Sequence, residues 1–258
     1  MNTESFTEAP SSGFAAEATA FFEAIDDTSP DSLSACAGWT AHEISAHIAA
    51  AATELARNLE AYGEHRPVPA TRGFEEREAP YRSLADEELR MELPRSITRA
   101  VKALDAVLVA EPGAVVPWTG RHMVVKTFVT HLRSEFALHR WDLLGDDETS
   151  WRLLAQPELT DHAVEVLGRV LVSRGMKAVP AGFRAVIASP GSSDVVALAD
   201  EDGARLTRGG EPAEPSIVGD AGARLLMLWG RRPNDPRRLQ ATQGAQVLDR
   251  LQRFLAGY

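Results

Sequence analysis

The chain has 258 residues, 44% of them hydrophobic and 25% charged, which is typical of a soluble globular protein with one large domain or two ordinary ones. A net charge of −10 argues against a nucleic-acid backbone or an anionic membrane surface as its main partner. Cys36 is the single cysteine, which excludes an internal disulfide and is typical of a reducing cytoplasm.

Targeting segments are not expected. The N-terminus has no basic stretch followed by an apolar run, so it does not match a secretory signal. The longest apolar runs, at 48–52 and 225–229, are too short to span a bilayer. We therefore expect a soluble, cytoplasmic protein.

The first part of the chain is predicted to be helical. Residues 14–25 have apolar positions at helical spacing. Thr40 and Glu43 match a capping box that opens a helix over 41–62. Residues 63–80 are rich in Gly, Pro and charge, which predicts a long loop.

Two further helices are predicted before the middle of the chain. The helix over 86–109 contains Pro94, which predicts a later start or a kink. A connection over 111–120 leads to a fourth helix over 121–144. Four helices joined in this way predict an antiparallel four-helix bundle.

The second part has a different pattern. A helix over 158–174 precedes short β-like runs separated by turn-forming residues. These runs and the two closing helices cover 183–188, 194–199, 204–207, 216–218, 220–229 and 244–255. The sequence therefore predicts a two-domain α+β protein, with the bundle in 1–148 and a small α+β domain in 149–258.

The fourth predicted helix carries a candidate metal site. His131, Glu135 and His139 are each four residues apart and therefore lie on one stripe of the helix. An imidazole and a carboxylate at this spacing can bind one divalent cation, zinc by first choice. The alternative is a surface ion pair, Glu135 with Arg133 or with His139, which would contribute little to the stability of the protein.

His47 is a third candidate ligand. It lies among alanines on the apolar side of the second helix, where a core histidine is the alternative interpretation. Together with Glu135 and His139 it would leave metal positions open, which is typical of a catalytic site rather than a structural one.

Several segments resemble the mycothiol-dependent maleylpyruvate isomerase family, a branch of DinB-like bundles. The segment GWTAHEISAH over 38–47 is similar to the start of the family's second helix, and RSEFALHRWD over 133–142 to its fourth. VPWTGRHM over 116–123 is also similar, and GDAGARLLMLWGRRP over 219–233 resembles the family's sterol-carrier-like C-terminal domain.

The resemblance implies a zinc ion, or another divalent metal, bound by His47, Glu135 and His139, with mycothiol as a thiol cofactor. Such a metal stabilises a thiolate at neutral pH. The implied activity is an isomerase or an S-transferase that acts on a small electrophilic metabolite. A non-catalytic metal-containing protein that binds a small molecule through its C-terminal domain is the alternative.

Four further residues are candidates for roles at or near this site. His131 and Arg133 are candidate catalytic residues, and Arg121 and Arg133 are candidates for binding a substrate carboxylate. Arg133 is about 200° around the helix from Glu135 and is expected to face away from the metal. His131 either lines the site and carries protons or is simply exposed. Asp142 either orients His139 or is a surface residue.

Overall fold

The structure is a computed structural model that describes residues 15–209 and 213–255. The N-terminal segment, which the sequence predicts not to be a secretory signal, lies outside these residues, as does the first residue of the predicted helix over 14–25. Across the described part of the chain, no helix has both the length and the apolar character that a membrane span requires.

The chain divides into two compact units, Met1–Phe136 and Ala137–Tyr258. The division falls within one continuous helix, α5, which spans Thr127–Leu144. The domain boundary predicted after residue 148 stays a prediction. The α+β class that the sequence predicts is confirmed, because helices predominate and a small sheet lies in the second unit.

The first unit contains the predicted helices and a short hairpin. Thr40 caps α2 as predicted: its side chain accepts from the Glu43 backbone, and the Glu43 side chain accepts from the Thr40 backbone. The elements before α5 are α1 Ala15–Asp27, α2 Ala41–Gly63, α3 Phe74–Arg82, α4 Asp86–Ala110, β1 Val115–Trp118 and β2 Arg121–Val124.

Helices α2 and α4 run in the same direction. His42 in the first turn of α2 contacts Asp86 in the first turn of α4, and Tyr62 near the end of α2 bonds Glu111 just beyond α4. This pair differs from the antiparallel packing predicted because the long connection through α3 returns the chain to its starting end. Pro94 lies within α4, which starts at Asp86, so the later start that Pro94 suggested is wrong.

Helix α3 begins within the segment 63–80, for which the sequence predicts a loop, and ends two residues beyond it at Arg82. That prediction is wrong over α3 because the inward-facing positions are Arg77 and Glu78, both buried, and so no apolar stripe indicates a helix. Glu75 and Glu76 in the first turn stabilise the helix by facing the positive end of its dipole.

The hairpin of β1 and β2 corrects the predicted start of the fourth helix. Thr119 and Gly120 have φ values of 46° and 82°, as a two-residue type I′ turn requires. Trp118 and Arg121 are paired on either side of this turn. Helix α5 therefore begins at Thr127 rather than at residue 121.

Aromatic side chains hold the first unit together around α5. The rings of Phe21 in α1 and Phe136 in α5 lie 5.5 Å apart. Trp118 of the hairpin meets Phe128 edge to face at 5.2 Å. These contacts fix the rotation of α5 about its axis, and this rotation decides where its polar stripe points.

The second unit combines helices with a mixed sheet of strand order β5-β4-β3-β6-β7, in which only the β3–β6 pair is parallel. The predicted strands and closing helices are confirmed; helix α6 and strand β7 were not predicted. The elements are α6 Glu148–Leu154, α7 Pro157–Val172, β3 Phe183–Ser189, β4 Ser192–Asp200, β5 Gly203–Arg208, β6 Ile217–Gly219, α8 Ala221–Leu228, β7 Leu239–Ala241 and α9 Ala245–Leu255.

Candidate metal centre

The three predicted ligands come together. Each of His47, Glu135 and His139 offers a ligand atom, and these atoms all lie within 4.8 Å of one another. Nε2 of His47 lies 3.5 Å from Oε2 of Glu135, which is long for a hydrogen bond. It is close to the separation of about 3.4 Å between two donors that bind one tetrahedral zinc ion at roughly 2.1 Å. The donor set fits a divalent cation.

His47 is held from several sides. Its Nδ1 lies 2.7 Å from Oε1 of Glu78, a fully buried carboxylate on α3. Its ring lies 5.2 Å from that of Trp39 and is stacked at 6.0 Å on Phe74. With Nδ1 engaged, Nε2 is the ring nitrogen available to a metal.

The other histidine has the same arrangement. Nδ1 of His139 lies 2.8 Å from Oδ2 of Asp142, one turn further along α5. Both oxygens of Asp142 also accept hydrogen bonds from Arg231, at 2.7 and 2.6 Å. Burial raises the pKa of Asp142, but the charge and hydrogen bonds of Arg231 and the bond from His139 outweigh it and hold the pKa well below its usual range.

A second group of possible ligand atoms consists of Cys36, His139 and Asp142. Asp142 is the weak member of this group because its two oxygens already accept bonds from Arg231 and His139. The group with His47 and Glu135 is therefore the better candidate.

His131 lies on the same stripe of α5 and is buried, with 8% of its surface exposed. Its ring meets Trp118 and Phe128 edge to face, and its Nε2 lies 3.8 Å from Oε1 of Glu135. Burial lowers the pKa of His131 to about 4, against the opposing charge of Glu135. The imidazole is therefore neutral near pH 7.

The two arginines suggested by the sequence lie in different surroundings. Arg133 donates through Nε to Glu17 of α1 at 3.0 Å, in agreement with its expected direction away from Glu135. Nη2 of Arg121 lies 3.4 Å from Sδ of Met123, and its charge contributes to the lowered pKa of His131. A catalytic or substrate-binding role for either arginine stays a prediction.

Arg77 is an unpredicted residue of this region. Only 4% of its surface is exposed, and its Nε has no hydrogen-bond partner within the described chain. Its guanidinium lies 4.3 Å from the centre of the Phe74 ring, and Nε is 3.9 Å from Oε1 of Glu78. Burial lowers the pKa of Arg77, whereas the charges of Glu78 and Glu135 raise it.

Glu78 was also missed, because it bonds a residue 31 positions away, and no local spacing reports such a contact. Burial raises the pKa of Glu78. The hydrogen bond and charge of His47 and the charges of Arg77 and Arg82 lower it by more, so the pKa lies below its usual value. The sequence predicts a loop here, and acidic residues beside arginines in a loop do not indicate a buried hydrogen-bond network.

Comparisons with known proteins identify the family and the fold. A family model described as "Mycothiol maleylpyruvate isomerase N-terminal domain" matches residues 13–144. The crystal structure of a mycothiol-dependent maleylpyruvate isomerase is similar in fold, with a TM-score of 0.59 and 17% identity over 91% of this chain and 92% of that chain. A histidine-to-alanine mutant of that isomerase matches with a TM-score of 0.60 at the same identity and coverage.

A comparison with curated protein sequences gives no match. The family model nevertheless spans just over half of the chain. The chain therefore belongs to the mycothiol maleylpyruvate isomerase family, and the resemblance carried by the segments 38–47 and 133–142 is confirmed.

Proposed function

We propose that this chain, as a member of that family, is a mycothiol-dependent isomerase that acts on a small electrophilic metabolite at a divalent metal bound by His47, Glu135 and His139. Zinc is the metal we favour, since two imidazoles and one carboxylate form a ligand set that zinc accepts in catalytic sites. The alternative to isomerisation at the same site is an S-transferase reaction.

The convergence of the three ligands supports the proposal more than any other observation. Each histidine has Nδ1 bonded to a buried carboxylate, Glu78 for His47 and Asp142 for His139. Metal-ligating histidines in proteins almost always have such a partner on the second nitrogen. Three protein ligands leave at least one position open to an external ligand.

A bound divalent cation would supply the positive charge that keeps a coordinated thiol deprotonated at neutral pH. The protein's own residues hold the metal-ligand atoms in place and determine the charge around the metal site. His131 adds a neutral imidazole beside Glu135, because its pKa is lowered to about 4. A neutral ring does not compete electrostatically with a cation for this carboxylate.

Arg77 is the group we assign to anionic parts of the substrate. It is buried, and its Nε has no partner among the described residues, so an incoming anion would satisfy it. Burial lowers the pKa of Arg77, and Glu135, a proposed metal ligand, is one of the charges that oppose this shift. An electrophile that carries a carboxylate fits this arrangement.

The function is tested by titrating mycothiol into the zinc-loaded protein and into Glu135→Ala, followed by product analysis with maleylpyruvate. We expect saturable thiol binding by the wild type and none at the metal in the variant. A rearranged product with mycothiol recovered indicates an isomerase, whereas a mycothiol adduct indicates an S-transferase.

The variant His122→Ala serves as a control, because His122 is an exposed hairpin residue. It should bind thiol as the wild type does. Zinc-loaded protein that neither binds mycothiol nor activates any other thiol would contradict the proposal and favour the non-catalytic alternative.

A further inference from the structure

We propose that Glu78 of α3 is a positioning residue that fixes the imidazole of His47 with Nδ1 as hydrogen-bond donor and Nε2 as metal ligand. This inference rests on the proposed function, since it concerns one of the proposed ligands. It extends the site to a helix that the sequence did not predict.

The hydrogen bond selects the tautomer. Oε1 of Glu78 lies 2.7 Å from Nδ1 of His47, and the carboxylate is fully buried. An ionised carboxylate only accepts, so Nδ1 must carry the hydrogen. In the neutral ring the lone pair then lies on Nε2, which is the nitrogen that faces Glu135 at 3.5 Å.

Arg82 keeps Glu78 in place and ionised. Nη2 of Arg82 donates to Oε2 of Glu78 at 2.5 Å, one turn along α3. Oε1 and Oε2 therefore have different partners, His47 and Arg82. A buried carboxylate between a donor imidazole and a guanidinium is stabilised in its charged, acceptor-only form.

The aromatic rings packed against His47 do not make this selection. The rings of Trp39 and Phe74 lie 5.2 and 6.0 Å from the imidazole. Ring contacts of this kind restrict the plane of an imidazole, but they distinguish weakly between the two ring orientations that exchange carbon and nitrogen positions. The hydrogen bond to Glu78 breaks that degeneracy.

Glu75 provides a matched control on the same helix. Its carboxylate also accepts from Arg82, at 2.9 Å, yet its side chain is 82% exposed and makes no contact with His47. Neutralising Glu75 removes one acid from α3 and one partner from Arg82 without changing the bond to His47. An effect of Glu78→Gln or Glu78→Ala that Glu75→Gln lacks is therefore not caused by the loss of an acid beside Arg82.

The first measurement is the nitrogen NMR spectrum of the histidines in the metal-free full-length protein, with the His47 signals assigned by their loss in His47→Asn. We expect the Nδ1–H tautomer in the wild type and in Glu75→Gln. In Glu78→Ala the His47 signals alone should shift toward the mixture of tautomers of a free imidazole, whereas unfolding of the variant would shift the signals of the other histidines as well.

The second measurement is zinc affinity by competition with a chromophoric chelator. Loss of such a partner weakens metal binding by roughly 10- to 100-fold, and we expect this for Glu78→Ala. Glu78→Gln keeps an acceptor oxygen and should lie between Glu78→Ala and the wild type. Glu75→Gln should match the wild type.

The proposal is overturned if wild-type His47 is the Nε2–H tautomer, or if Glu78→Ala binds zinc as tightly as Glu75→Gln. Should Glu78→Ala fail to fold, the isosteric Glu78→Gln and the wild-type spectrum still decide. If the wild type binds no zinc, the proposed metal function fails, while the tautomer measurement still reports on Glu78 independently.

Discussion

Nδ1 of His139 lies 2.8 Å from Oδ2 of Asp142, so the two residues form an imidazole–carboxylate pair near the end of α5. Arg231 holds both oxygens of this carboxylate, and the Asp142 side chain is fully buried. The pair repeats, on a second histidine, the relation between His47 and Glu78. Both proposed imidazole ligands are therefore oriented from the side away from the metal.

Replacing the carboxylate of Asp142 should weaken the metal site. Asp142→Asn loses the charge that orients His139, and we expect zinc affinity to fall by roughly 10- to 100-fold. Chelator competition measures this change. Asp249→Asn is the control, because Asp249 pairs with the neighbouring Arg232 but its side chain is 61% exposed. Equal affinities in the two variants would contradict the role of Asp142.

Arg77→Met should reduce the binding of anionic substrate but not of metal. A hydrogen bond to a charged group contributes about 1.5–3 kcal/mol, so KM for a carboxylate-bearing substrate should rise by on the order of tenfold or more. Steady-state kinetics measure KM, and elemental analysis should still find the metal. Arg95→Met, at a 71% exposed side chain of α4, should behave as the wild type; an unchanged KM in Arg77→Met would exclude this contact.

Asp147→Ala should destabilise the protein in a pH-dependent way. Asp147 caps α6 and receives two hydrogen bonds from Arg140, and these bonds from Arg140 are the largest cause that lowers the pKa of Asp147 to about 2. The unfolded value is about 3.9. Because the folded pKa is the lower one, this stabilisation is complete above the unfolded value and is lost as pH falls toward the folded value.

We expect Asp147→Ala to lower the free energy of unfolding by about 1–2 kcal/mol at pH 7, the typical contribution of an N-cap. The difference from the wild type should shrink between about pH 4 and pH 2. Denaturant unfolding of the full-length chain at several pH values measures it, with exposed Glu201→Ala as control. A difference that does not change with pH would mean that the Asp147 charge is not involved.

Much of the fold could be predicted because local signals agree with tertiary packing. The capping box at Thr40 and Glu43 marks the start of α2, and turn residues separate the strands of the second unit. The ligand stripe of α5 follows from helical periodicity alone, since Glu135 and His139 are four residues apart. Family resemblance then identified His47 on a separate helix.

The remaining parts carry no local signal. Helix α3 buries Arg77 and Glu78. A buried charge needs a compensating partner, and for Glu78 one such partner is His47, 31 positions away in the sequence. The Thr119–Gly120 turn was not predicted because it places a threonine at positive φ, a position where asparagine, aspartate or glycine usually indicates such a turn. Of the two carboxylates that orient the ligands, Asp142 was a candidate from the sequence, whereas Glu78 was found only in the structure.

The most direct test of the metal site is the metal content of the purified full-length protein, measured by elemental analysis for the wild type, His47→Ala, Glu135→Ala and the control His122→Ala. We predict close to one equivalent of divalent metal in the wild type and the control, and near zero in the two ligand variants. A wild-type protein that contains no metal and does not bind added zinc would contradict the account.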